Sequence, residues 1–121
     1  SKLKRRLVSF KKIFRHEKLV ELKKLSKKLE LRTKNQELRT INIDPGYVDL
    51  FKFVLASGKA GGQKVALAKA VYVYRLLRYE KGIWHPFEWT YPDFKEKTYH
   101  DDLLKIRKQL KEDLSNRLQR G

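Results

Sequence analysis

Two stretches of this sequence repeat their apolar residues at helical spacing, and they stand at opposite ends of the chain. Leu19, Leu22, Leu25 and Leu29 recur at intervals of three and four in the first, and Leu103, Ile106, Leu110, Leu114 and Leu118 do so in the second. That spacing places each set on one face of a helix. Between them the apolar residues alternate or crowd into runs, the pattern of strands. A chain that opens and closes with amphipathic helices and keeps its strands together can cover both helices only against one sheet. The expected class is therefore α+β, a small and mostly antiparallel sheet with an N-terminal and a C-terminal helix packed on it. The 121 residues suit one domain spanning 1–121, because a single core usually takes about 100 to 150 residues.

Arg5 to Phe10 is a short apolar run of β character. The first helix is expected from Glu17 to about Leu31, with Lys23, Lys24, Lys27 and Lys28 on the face opposite the leucines. Residues 32–38 read as a loop and Arg39 to Ile43 as a strand entering a tight turn at Asp44-Pro45-Gly46-Tyr47. Tyr47 to Ala56 fits helix and strand equally. Ser57 to Gln63 holds three glycines and reads as a loop, and Val65 to Tyr79 as one long central strand. Glu80-Lys81-Gly82 offers a hairpin turn into Ile83 and Trp84. His85 to Phe94 is expected to be irregular, and Thr98, with Asp101 three residues on, to cap the last helix.

Charge is the strongest functional signal: 30 Lys and Arg against 14 Asp and Glu leave +16. Residues 1–40 carry 15 basic and 4 acidic side chains, an excess of +11. Such an excess repels itself until an anionic partner supplies counter-charge. With no Cys there is no disulfide framework, thiolate nucleophile or sulfur-ligated zinc, and a reducing, cytoplasmic setting is expected. No apolar run approaches the roughly 20 residues of a membrane span, so no membrane partner is expected.

The segments Asn42-Ile43-Asp44-Pro45-Gly46-Tyr47, Val54-Leu55-Ala56, Leu77-Arg78-Tyr79-Glu80-Lys81-Gly82 and Trp89-Thr90-Tyr91-Pro92-Asp93-Phe94, with Arg5-Arg6-Leu7-Val8-Ser9-Phe10 before them, resemble a bacterial family known as domain-of-unknown-function family 4416. The order and spacing agree along almost the whole chain. The resemblance implies no activity. It does imply a further strand and helix before Ser1, so that this chain corresponds to the C-terminal two-thirds of the domain. The chain departs from the family pattern at Ser57-Gly58-Lys59-Ala60, at Gln63-Lys64 and at Tyr72-Val73-Tyr74.

Gly61-Gly62-Gln63 matches the catalytic tripeptide of peptidyl-tRNA hydrolases, in which the backbone at Gln orders water and the glycines permit the required shape. A Gly-rich connection between strands explains the same residues without chemistry. Gly58-Lys59 fails as a phosphate-binding P-loop, since Phe53 and Ala60 stand where Gly and Ser or Thr are required. Asp44 and Asp93, each beside a Pro, are candidates for acid–base or metal chemistry, against the ordinary use of Asp as a turn cap. His16, His85 and His100 are not at ligand spacing, and neither a metal nor another cofactor is expected. Tyr72, Tyr74, Tyr79, Trp84, Trp89, Tyr91 and Phe94, near Arg75 and Arg78, suit either a core or the stacking of unpaired bases.

The leading expectation is an RNA-binding or ribosome-associated accessory module. Phosphates would be held by Arg5, Arg6, Lys11, Lys12, Arg15, Lys23, Lys24, Lys27 and Lys28, with Lys59 and Lys64 adding looser contacts. Two alternatives stand beside it. One is an enzyme on a phosphate-rich substrate such as peptidyl-tRNA, with Gln63, Asp44 and Asp93 as candidates. The other is a subunit of a larger assembly, pairing with a partner chain or a second copy. The RNA reading falls if the cations gathered near the amino end are scattered in all directions or paired off against the chain's own carboxylates.

Overall fold

A computed structural model describes residues 6–10, 13–35 and 42–120. In chain order the elements are α1 (Lys18–Asn35), β1 (Gly46–Val48), β2 (Lys52–Ser57), β3 (Val65–Ala68), β4 (Val71–Glu80), β5 (Ile83–Pro86), α2 (Pro92–Lys95) and α3 (His100–Arg120). The strands form one antiparallel sheet in the order β1-β2-β4-β3, with β5 pairing the far half of the edge of β4 that β3 occupies. The α+β expectation holds, with a helix at each end of the chain.

The stretch that fitted helix and strand equally is two short strands, β1 and β2, joined by a turn in which Asp49 accepts the amides of Phe51 and Lys52. The expected long strand is instead a hairpin. Lys69 and Ala70 interrupt it, and Ala70 adopts φ 58°, a conformation the sequence does not advertise because neither residue is Gly. The turn into β5 is as expected, with Lys81 and Gly82 both left-handed, which matches the twist of the strands they join. Asp44-Pro45-Gly46 is not a tight turn. Gly46 opens β1, where a Cβ would stand 2.4 Å from the carbonyl oxygen of Val54, so Gly is required there by the close approach of two backbones. Arg6 to Phe10 is not a strand, although Leu7 packs on the core. Of the strand expected over Arg39 to Ile43, residues 39–41 lie outside the described residues, and Asn42 and Ile43 are irregular. The last helix begins at His100, two residues beyond the expected cap.

Lys52, Val54 and Ala56 of β2 face one side of the sheet, while Phe53 and Leu55 face the other. The second side holds the main core: Phe53, Leu55, Tyr74, Leu76, Leu77 and Trp84 from the sheet, Phe94 of α2 and Leu103 of α3. Consecutive Leu76 and Leu77 both enter this core because β4 bulges where it passes Phe53 and Val54. Burying side chains of this size contributes about 1.5–3 kcal/mol each, so this face carries most of the stability. Only the first half of α3 shares in it, and Leu118 is 84% exposed. The opposite side has a smaller cluster of Leu19 on α1 with Val54 and Ala56.

Between β3 and β5 the edge of β4 has no strand partner among the described residues. Side chains close the gap: Trp89 Nε1 donates to the Arg75 carbonyl at 2.6 Å and Thr90 Oγ1 to the Leu76 carbonyl at 2.6 Å. The most distinctive motif of the chain, Trp89 to Phe94, is thereby the plug of a sheet edge and the route of α2 into the core.

Candidate nucleic-acid interface

α1 is built from strong helix formers, Leu, Lys and Glu, without Gly or Pro. The leucine periodicity finds the helix but not its facing. The inward line runs through Leu19, Lys23 and Ser26, each 5% exposed or less, while Leu25 and Leu29 are 52% and 39% exposed. The expectation of a leucine face packed on the sheet and a lysine face in solvent is therefore corrected. The sheet under α1 offers Val54 and Ala56 to Leu19, with Tyr47 and Val73 packed beside them, and the connections around it carry backbone groups that need partners. Lys27 Nζ donates to the Ala70 carbonyl at 2.9 Å, and Glu30 Oε2 accepts the amide of Ile43 at 3.0 Å. Lys23 Nζ lies 4.0 Å from Asp44 Oδ1.

The four lysines are thus divided. Lys23 and Lys27 turn into the molecule, whereas Lys24 and Lys28 are exposed, and Arg32 continues their row at the same four-residue interval. Among the described residues no carboxylate lies within ion-pair distance of Lys24, Lys28 or Arg32. Glu21 is held to Lys18 at 2.7 Å. The hydrogen bond and charge of Lys18, with the charge of Lys24, keep its carboxyl below the usual range. Arg6 and Arg15 are exposed. Arg5, Lys11 and Lys12 lie outside the described residues.

The glycine-rich connection closes on itself. Lys64 Nζ donates to Ser57 Oγ at 3.1 Å and to the Lys59 carbonyl at 3.2 Å, and lies 5.3 Å from the centre of the Tyr74 ring. The Lys64 amide donates to the Gly61 carbonyl at 3.0 Å. Gln63 is exposed on this turn, as is Lys59. Asp44 is beside α1 and Asp93 is in the first turn of α2. Among the described residues no three His, Asp or Glu side chains stand close enough to hold a metal ion, and no helix is long and apolar enough to cross a membrane. A cavity of about 280 Å³ opens between the start of α1 and the sheet, lined by His16, Glu17, Leu19, Val20, Tyr47, Leu67 and Val73.

The aromatic residues divide as well. Tyr74, Trp84 and Phe94 are core, and the Tyr79 ring is covered by the Arg107 guanidinium 3.5 Å from its centre. Trp89 is half-buried and joins a group in which Phe87 is the member that sequence reasoning did not single out. The Phe87 and Trp89 rings stack 4.7 Å apart and 3° from parallel, with the Arg75 guanidinium 4.8 Å over Phe87. The aromatic spacing i, i+2 was a usable signal, but its link to Arg75 depends on the register of β4 and β5.

Together these features define a small basic α+β domain: an open antiparallel sheet, one well-filled face, and a second face crossed by a helix with cations along its outer side. The chain belongs to the family described as Domain of unknown function (DUF4416), which matches residues 1–110. No curated protein and no solved structure matches the chain.

Proposed function

We propose that this protein is an RNA-binding accessory domain, of the kind that associates with a ribosome or another RNA-rich body, and that it holds phosphates through the outer side of α1. The observation that carries this reading is the row Lys24, Lys28 and Arg32, exposed and four residues apart on one helix, with no described carboxylate in ion-pair contact. Arg15 is exposed at the start of the same helix, its carbonyl accepting the Lys18 amide, and extends the cationic surface. Lys23, Lys27 and Lys64 are not part of the proposal, since each spends its ammonium within the chain. Contacts of this type give salt-sensitive binding with little sequence preference. Titration of a labelled RNA oligonucleotide at low and at physiological salt tests it. Micromolar or tighter binding that weakens steeply with salt is expected, and no binding at low salt ends the proposal.

A second reading, an assembly subunit, is supported by the leucine flank of α1. Leu25 and Leu29 are exposed beside half-buried Leu22, a continuous apolar stripe suited to a partner chain or a second copy. Sedimentation analysis decides it, because a clean monomer at high concentration removes the self-associating version.

A further inference from the structure

The sheet face that carries α1 is only partly covered by it. Lys52, opposite Arg78, and Arg78, opposite His85, form a lateral row across β2, β4 and β5 on this face. All three groups are already engaged, Lys52 with Asp49 at 2.7 Å, Arg78 with Glu80, and His85 Nε2 with the Glu80 carbonyl at 3.3 Å. Arg75 differs. It stands opposite Val54, the residue that touches Leu19 of α1, and it is exposed. Its guanidinium lies over Phe87 rather than against a described carboxylate.

The layer beneath it is held from several sides. The Phe87 amide donates to Thr90 Oγ1 at 2.8 Å, and the Thr90 amide donates back to the Phe87 carbonyl at 3.2 Å. Trp89 Nε1 ties its ring to the Arg75 carbonyl. The two rings are thus tied to one point of β4, and the Arg75 guanidinium lies over that of Phe87. Guanidinium planes and aromatic rings both accept unpaired bases. A duplex keeps its bases stacked on each other and cannot use such a layer.

We infer that Arg75, layered on Phe87 and Trp89, is a stacking site for an unpaired nucleobase, which makes single-stranded RNA the class of polyanion this surface takes. The inference rests on the proposed phosphate contacts of α1 and adds base stacking to them. A single strand would lay its backbone along Lys24, Lys28 and Arg32 and turn a base onto Arg75, on the same side of the sheet.

The experiment compares three probes, a single-stranded oligouridylate, a duplex RNA of equal length and heparin, against the parent protein and three variants. Arg75→Lys keeps the charge and removes the plane. Phe87→Leu removes the ring beneath it, and melting curves confirm that each variant is folded. The triple replacement of Lys24, Lys28 and Arg32 by Ser removes the phosphate contacts. Arg75→Lys and Phe87→Leu are each expected to weaken oligouridylate binding about tenfold, in line with the loss of one stacked base, and to leave duplex and heparin binding within about twofold. The triple variant is expected to weaken all three. If oligouridylate binding survives both stacking variants while the triple variant loses it, the stacking inference is overturned and the phosphate reading stands. If the parent binds none of the probes, the phosphate reading falls and the inference with it. Should Phe87→Leu not fold, Arg75→Lys alone decides.

Discussion

Lys23 Nζ lies 4.0 Å from Asp44 Oδ1, and the lysine side chain is 6% exposed while that of the aspartate is 55% exposed. This cation of α1 therefore faces a carboxylate of its own chain and not the solvent. Removing one partner of an ion pair is costly when it strands a buried charge, but Asp44 is more than half exposed and stays solvated without the lysine. Lys23→Met is expected to leave the melting temperature unchanged or raise it, and to keep RNA affinity within about twofold. Lys24→Ser with Lys28→Ser should do the reverse, sparing the melting temperature and lowering the slope of binding against salt by about 0.7 per lost single-strand contact. Equal effects of the two sets on affinity would show that the inward and outward lysines are not distinguished as described.

Ala70 holds a left-handed conformation at the tip of the β3–β4 hairpin, and its carbonyl receives Lys27 Nζ. A side chain in that region costs roughly 1–2 kcal/mol, partly offset by the greater freedom of Gly in the unfolded chain. Ala70→Gly is expected to stabilise the fold by up to about 1 kcal/mol in denaturant titration. Lys27→Met leaves that carbonyl without its donor and should destabilise by about 1 kcal/mol. A loss of stability with Ala70→Gly would contradict the hairpin geometry.

Gly46 has no room for a side chain, since a Cβ would stand 2.4 Å from Val54 O and 2.7 Å from Leu55 Cδ2. The first contact is with backbone, which cannot move without disturbing the β1–β2 pairing. Gly46→Ala should cost about 1–3 kcal/mol, the usual range for overpacking. A silent substitution, measured by thermal melting, would place this residue in an ordinary turn.

Tyr47 is half-buried beside His16, their rings 4.7 Å apart. Burial pushes its hydroxyl up from the ordinary value, against a smaller opposing pull from Lys52. The folded state thus disfavours the phenolate. Its contribution to stability is complete below the unfolded value of about 10 and is lost as pH rises from there through the higher folded value. Tyr47→Phe is expected to lose less stability than the parent between neutral and strongly alkaline pH. Parallel losses in the two proteins would rule out this residue as the source.

The architecture was readable because hydrophobic period distinguishes helix from strand without reference to neighbours. Orientation was not. The leucines of α1 mark the face that an apolar partner would bury, yet of them Leu19 alone is buried on the sheet, while Lys27 and Glu30 turn toward backbone groups of the neighbouring connections, which Leu25 could not satisfy. The hairpin at Lys69 and Ala70 was hidden because the turn uses no Gly, and the bulge because Leu76-Leu77 suits either face of a regular strand. At the candidate site, the cationic bias of residues 1–40 was plain. Which cations are outward, and that Arg75 lies over Phe87, follows only from helix rotation and strand register.

Thr90 is buried and makes three hydrogen bonds: its hydroxyl donates to the Leu76 carbonyl and accepts the Phe87 amide, while its own amide reaches the Phe87 carbonyl. Thr90→Val keeps the shape and the backbone bond but removes both hydroxyl interactions, leaving a buried carbonyl on the open edge of β4 and a partly buried amide in the Phe87 turn. Each unsatisfied group costs about 1–3 kcal/mol, so a fall in stability of several kcal/mol is expected, with Thr90→Ser restoring most of it. The same turn positions Phe87 and Trp89 under Arg75. Oligouridylate affinity should therefore fall with Thr90→Val and return with Thr90→Ser at a temperature where both are folded. If Thr90→Val melts like the parent, the gap in the sheet edge is closed by something other than this hydroxyl.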